Sequence, residues 1–269
     1  MNKNSRATFA GFWGLVVALC LALAAWPARP AAAEFPEASS CGRIMHAGVR
    51  YVICRFRAGS DDIRMFWAGD DGRPLLGFAA LRRHLRARGL KLRFGMNGGM
   101  YTPRHAPAGL YVEAGRQIVP LNLRRGRGNF HLLPNGVFWL KGGQAGVTES
   151  RRFARLRIRP AHATQSGPML VINGRIHPRF RPASESRKIR NGVGVAADGR
   201  TIYFVLSEDP VNFHTFARLF RDRLKTPNAL FLDGTISQIY APELRRYGGI
   251  MPMGPIIAVV EKASPGREN

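Results

Sequence analysis

Turn signals cut this chain into short pieces, and nothing else in the sequence limits its fold as strongly. Ala47-Gly48, Gly69-Asp70-Asp71-Gly72, Ala114-Gly115, Pro134-Asn135-Gly136, Asn173-Gly174 and Asp198-Gly199 each favour a tight turn or a left-handed backbone. The apolar runs between them are of strand length. Strands are expected over 62–67, 90–96, 110–112, 117–119, 130–133, 137–140, 169–172, 175–176, 192–196, 201–206, 229–232 and 256–260. Pro134-Asn135-Gly136 predicts a hairpin between 130–133 and 137–140. Two stretches carry a helical period instead. Over 78–88, Phe78, Leu81 and Leu85 fall on one side and Gly89 ends the run. Over 213–224, Phe213, Phe216, Phe220 and Leu224 form a stripe. The order strands, helix, many strands, helix, strands predicts an α+β fold. Its sheets are expected to be mixed and mostly antiparallel, with two main helices, in a single compact domain over 34–269.

The segment before that domain reads as an export signal. Lys3 and Arg6 precede an uncharged apolar run over 9–26, Pro27 breaks it, and Ala31-Ala32-Ala33 offers small residues for cleavage. A signal peptide over 1–33 is expected, with Glu34 as the first mature residue. The alternative is an uncleaved anchor, because the run is long enough to span a bilayer. Cys20 follows Leu19, where a lipoprotein signal needs a small residue. The expected location is periplasmic or secreted.

Cysteine usage agrees with an oxidising compartment. Cys20 leaves with the signal, and Cys41 and Cys54 remain. The twelve residues between them read as a hairpin turning at Ala47-Gly48, which sets the two thiols opposite one another and predicts a disulfide. Closing so short a loop stabilises by about 3 kcal/mol in the chain-entropy treatment.

The formal charge is +24. Removal of Lys3, Arg6 and Arg29 with the signal leaves +21, since no acid precedes Glu34. Such a surface attracts polyanions. Export argues against nucleic acid as the physiological partner. It leaves phosphate-bearing glycans or glycolipids and an anionic membrane surface, beside a generally basic surface with no specific ligand.

Three stretches place polar groups and glycines at strand ends, where backbone approaches a ligand closely. Asn97-Gly98-Gly99-Met100-Tyr101 offers backbone N–H groups for an anion. Gln165-Ser166-Gly167-Pro168, with Arg187-Lys188-Ile189-Arg190-Asn191-Gly192, offers cations for a phosphate. Leu232-Asp233-Gly234-Thr235-Ile236-Ser237-Gln238 puts a carboxylate directly after an apolar strand, a placement that tunes acid or base chemistry. No His or Cys spacing suits a metal, no nucleotide-binding fingerprint appears, and Ser166 is not in a nucleophile elbow. No cofactor is expected. The scattered histidines, His105 among them, read as surface or core residues.

Four blocks, in this order, resemble the phosphodiester glycosidases: Asn97-Gly98-Gly99-Met100-Tyr101, Ser166 to Gly174, Arg190-Asn191-Gly192-Val193-Gly194, and Leu232-Asp233-Gly234-Thr235-Ile236-Ser237. That family is related to the lysosomal enzyme that uncovers mannose 6-phosphate by removing N-acetylglucosamine. The sequence departs from many members at Thr235, where Asp-Gly-Gly is common. The resemblance implies hydrolysis of a sugar-1-phosphodiester at the glycosidic bond. It further implies Asp233, Arg190 and Asn97 as catalytic residues. Gly98, Gly99, Ser166, Gly167, Lys188, Gly234, Ser237 and Gln238 are implied in substrate binding, with Glu208 as a candidate second carboxylate. The competing expectation is a non-catalytic envelope protein that holds an anionic glycan or lipid headgroup.

Overall fold

The computed structural model describes residues 40–234 and 236–263, all within one compact unit. The expected signal peptide lies outside the described residues, as does Thr235. No helix among the described residues is long and apolar enough to cross a membrane.

Three antiparallel sheets, of seven, five and five strands, enclose one core. The seven-stranded sheet orders Cys41–His46, Val49–Arg57, Thr201–Ser207, Asn191–Val195, Asn228–Phe231, Met169–Ile172 and Arg175–Ile176. The second runs Arg246–Tyr247, Ile239–Ala241, Leu90–Asn97, Ile256–Lys262 and Asp62–Phe66. The third runs Arg116–Val119, Tyr111–Glu113, His162–Ser166, Gly136–Lys141 and Gln144–Glu149.

Strand alternation sends one side chain inward and the next outward. Cys54, Phe56 and Phe204 from the first sheet, Phe94 and Met96 from the second, and Tyr111 and Phe138 from the third share the central cluster. Their rings touch across the sheets: Phe56 and Phe94 lie 4.9 Å apart, Phe94 and Phe204 5.2 Å, and Phe138 and Phe204 5.8 Å. The outward residues are covered by one helix per sheet. Phe78–Arg86 lays Phe78, Leu81 and Leu85 with Ile256, Ala258 and Val260. Phe213–Arg218, continued by the π-helical turn Leu219–Arg223, lays Phe216 and Phe220 with Tyr51, Ile53 and Phe231. Ser150–Leu156 buries Phe153 with Val137 and Ala163.

That last helix was not expected. Its signal is an unusual cap: the Glu149 carboxylate accepts the Arg151 and Arg152 N–H groups at 2.9 and 2.7 Å, and Arg157 ends the helix in the left-handed region. The expected hairpin about Pro134-Asn135-Gly136 is replaced. Residues 129–131 form a 3-10 turn, and Gly136–Lys141 pairs instead with Gln144–Glu149 through the turn Gly142-Gly143. The polar groups that a hairpin needs are engaged elsewhere: Asn135 Nδ2 donates to the Phe130 carbonyl, and the Pro134 carbonyl accepts from Met169 N–H. The other predicted turns and both predicted helices stand, and Cys41, directly opposite Cys54 in the first hairpin, is disulfide-bonded to it.

Candidate active site

The ends of Leu90–Asn97, His162–Ser166, Asn191–Val195 and Asn228–Phe231 come from three different sheets and meet at one place. A buried side chain ties them. Asn191 Nδ2 donates to Asn97 Oδ1 at 2.9 Å and to the Asn97 carbonyl at 3.1 Å, while Asn191 Oδ1 accepts Asp233 N–H at 2.8 Å. Asn97 Oδ1 also accepts Gln238 N–H at 2.9 Å. Ser166 Oγ donates to the Leu232 carbonyl at 2.7 Å and accepts Met100 N–H at 3.4 Å. Asn97, Ser166 and Asn191 are buried, and Asp233 is only 6% exposed. Sequence reading named Asn97, Ser166 and Asp233 as site residues; Asn191 stood inside one of the family-like blocks but was given no role there.

The glycines serve closeness of packing. The Gly98 and Gly99 N–H groups, expected to face an anion, are engaged inside the protein: Gly98 donates to the Pro255 carbonyl at 2.6 Å and Gly99 to Thr164 Oγ1 at 3.1 Å. A Cβ on Gly99 would stand 2.3 Å from the Gln165 carbonyl oxygen, so only glycine lets this turn seat against the neighbouring strand. Gly167 allows a similar approach to Asn135 and the Phe130 carbonyl, which brings Asn129 into place.

The turn and the acid share a cavity of about 440 Å³, lined by Met100 to Pro103 and His105, by Asp233, Gly234 and Ile236, and by Asn129. Burial, with the charge of Asp233 adding, pushes the Tyr101 phenol up to about 12. The Asp233 carboxylate itself accepts Gly234 N–H at 2.6 Å. Tyr101 stacks on His105 at 5.5 Å, a contact absent from the sequence-based expectation.

Arg190 lies behind Gly234. It is 1% exposed, and its guanidinium lies 3.7 Å from the centre of the Phe213 ring. Nε donates to the Val211 carbonyl at 2.8 Å and Nη2 to the Ser186 carbonyl at 3.0 Å. Nη1 has no partner and would stand 3.6 Å from a Cβ on Gly234. Burial brings the guanidinium down to about 10. Asn97 Nδ2 is a second buried donor without a partner. Neither residue lines the cavity itself; Arg190 reaches its wall only through Gly234, and Asn97 sits one layer further in, bonded to Asn191 and to Gln238 N–H.

Not every expected residue joins this group. Ser237 Oγ donates to the Asp233 carbonyl at 2.8 Å and shapes the loop from behind. The Gln238 side chain pins a different loop, accepting Gly249 N–H at 2.7 Å and donating to the Met251 carbonyl at 2.8 Å. Lys188 is exposed, with its backbone bridged to Val211. Glu208 is held by Arg43 at 3.3 Å and by Arg246, and does not line the cavity. A carboxylate at a strand end is drawn to whichever arginines lie nearest, and this chain has many. Among the described residues no group of three or more His, Cys, Asp or Glu side chains is placed to hold a metal.

Known proteins share this framework. A family model for phosphodiester glycosidase matches residues 91–247, a span that encloses both Asn97 and Asp233. The uncharacterised protein YigE of Escherichia coli K12 is 39% identical over 193 residues, covering 72% of this chain and 73% of that protein. The zebrafish N-acetylglucosamine-1-phosphodiester alpha-N-acetylglucosaminidase catalytic domain, auto-inhibited by its pro-peptide, superposes with a TM-score of 0.55 at 13% identity over 86% of each chain. A Burkholderia pseudomallei protein described as exported superposes with a TM-score of 0.51 at 12% identity, covering 78% of this chain and 74% of that one. At such identities these two structures establish a common fold.

Proposed function

The chain belongs to the phosphodiester glycosidase family, and on that premise we propose that it is an exported hydrolase cleaving a sugar-1-phosphodiester at the glycosidic bond of an envelope or extracellular glycan. The sugar enters the cavity between Tyr101 and Asp233. Asp233 supplies the carboxylate, acting on water or directly on the anomeric carbon. In the net step, water oxygen bonds to that carbon and gives one proton to Asp233, the C1–O bond breaks, its electron pair leaves on the phosphate oxygen as a phosphomonoester, and the proton then passes to solvent or to that phosphate. Such a leaving group has a low pKa and needs little protonation, so one carboxylate suffices where ordinary glycosidases use two.

Arg190 meets the growing charge on the leaving phosphate through Nη1. A preorganised cation in a water-poor site acts more strongly than one in solvent, and no reorganisation is needed as charge develops. Asn97 Nδ2 supplies a second donor to substrate oxygen. Asn191, Ser166 and Ser237 hold the loop that carries Asp233, and Gly98, Gly99 and Gly167 let its neighbours close in.

What carries this reading is one coincidence. The acid lines the cavity, and the unpartnered nitrogen of a buried arginine lies directly behind the next residue. Two experiments test it. Cleavage of a sugar-1-phosphodiester in oxygen-18 water should put label in the sugar; label in the phosphate means P–O cleavage and rejects the glycosidase. Asp233→Asn should keep the melting temperature and lose turnover; wild-type rates on every cleaved diester reject the role of Asp233.

A further inference from the structure

Beside the cavity, a short loop holds apolar side chains out into solvent. Ile250 is 98% exposed, Tyr247 62% and Met251 56%. Nothing about this loop is slack. Gly248, at φ +85°, presses against Phe78 so closely that a Cβ would stand 2.4 Å from the ring. Gln238 grips the Gly249 N–H and the Met251 carbonyl, Tyr101 donates to the Pro252 carbonyl at 3.3 Å, and Met253 is fully buried with its N–H on the Leu76 carbonyl at 3.0 Å. The loop is therefore fixed at both ends while its tip leaves Ile250 and much of Met251 uncovered. An apolar tip that is pinned outward, and not folded back, marks an interaction surface.

Charge says what meets it. The helix under the loop, Phe78–Arg86, exposes Arg82, Arg83 and Arg86, and Arg245 is exposed two residues before Tyr247. Arg82 lies 5.7 Å from the Tyr240 ring centre, and Tyr240 meets Tyr247 at 6.0 Å, so basic and apolar groups share one patch. Aliphatic and tyrosine side chains with Arg82 beside them and exposed arginines on the helix beneath suit the interface of an anionic bilayer, where apolar groups enter the acyl boundary and cations stay with the headgroups.

We infer that the Tyr247–Pro252 loop is a docking tip for an anionic phospholipid surface. Tyr101 is both the wall of the cavity and the anchor of this loop, so a docked molecule brings the cavity mouth to the lipid surface. Only this last step rests on the proposed function: it makes the substrate a lipid-borne sugar phosphodiester. Docking itself does not require catalysis.

The test is co-sedimentation of the mature protein with vesicles of mixed phosphatidylglycerol and phosphatidylcholine, at physiological salt. Wild type should bind these and leave pure phosphatidylcholine vesicles in solution. The double variant Ile250→Ser, Met251→Ser should lose at least about tenfold in partition while its melting temperature holds, because both side chains are mostly exposed. Leu156→Ser, at an exposed leucine on a different helix (53% exposed), should bind as wild type does. Undiminished binding of the double variant overturns the tip and leaves only general attraction to a basic surface. Absence of wild-type binding overturns the inference too, and concentration-dependent self-association lost in the double variant would reassign the loop to a second copy of the chain. None of these readouts depends on turnover, so the glycosidase reading stands or falls separately.

Discussion

The Asp233 cavity has a counterpart elsewhere on the molecule, a hollow of about 220 Å³ lined in part by Asp61, Asp62, Arg64 and His162. By composition the second is the richer in catalytic residue types. Its groups are nevertheless committed. Asp61 accepts from Arg93 at 3.0 Å and from Arg57 N–H at 2.7 Å, and Asp62 is bridged to Arg64 at 2.6 Å. His162 Nδ1 accepts the Met65 and Ala114 N–H groups, each at 3.3 Å. At the Asp233 cavity the acid is buried and the loop behind it is held by asparagine, and the layer of side chains behind that loop includes two buried donors without hydrogen-bond partners, on Arg190 and Asn97. Among the described residues four buried side-chain polar atoms lack a partner, and two of them belong to this one cluster. Exposed ion pairs contribute little and signify little. The buried Arg190 is held instead by the Phe213 and Phe231 rings and two carbonyls, which leave one of its nitrogens without a hydrogen bond beside Gly234.

Substitutions at the two hollows should separate them. The largest contrast is catalytic. Asp233→Asn should lower kcat by at least about a thousandfold, whereas Asp61→Asn and Asp62→Asn should stay within about twofold of wild type. Equal losses at both sites would erase the distinction. Next is Gly99→Ala, whose Cβ has no room against Gln165; denaturant unfolding should show a loss of about 3 kcal/mol or more. A neutral result would mean that the turn yields easily. Asn191→Ala leaves Asp233 N–H without its acceptor and removes the Asn191 amide from Asn97, at about 2 kcal/mol in stability, and should lower kcat more than it raises KM.

The smallest effect belongs to the second hollow. Burial, with the charge of Arg64 adding, pushes the His162 imidazole down to about 4. The unfolded chain therefore takes up this proton first. Stability is whole above the ordinary histidine value and drains as pH falls toward 4, by about 2 kcal/mol for this half-buried ring. His162→Gln should flatten that part of the stability–pH curve. An unchanged curve would show that other groups govern the acid limb.

Much of the fold was legible because it is local. Asn173-Gly174 and Asp198-Gly199 turn where their backbone preferences send them, and the Phe78, Leu81, Leu85 spacing buries one side of a helix. Two elements escaped. Glu149 caps a helix in a stretch that reads as a run of arginines, and Pro134-Asn135-Gly136 looks like a hairpin until Phe130 and Met169 claim its polar groups. At the site, Asp233, Asn97 and Arg190 were nameable from their blocks. The direction in which the Gly98 and Gly99 amides point was not, because it depends on Pro255 and Thr164, far away in the chain.

The sequence by itself determined the α+β class, most of the turns, the pairing of Cys41 with Cys54, and the blocks that carry the family. These follow from backbone preference and side-chain period, which act over a few residues. Tertiary structure alone decided that Asn191 joins Asn97 to Asp233, that Arg190 is buried behind Gly234 with a nitrogen to spare, and that Glu208 and Gln238 serve elsewhere. Each of those outcomes depends on which strand ends meet across three sheets. Hydrogen bonds and charge pairs act over a few ångströms of space, whatever the distance along the chain.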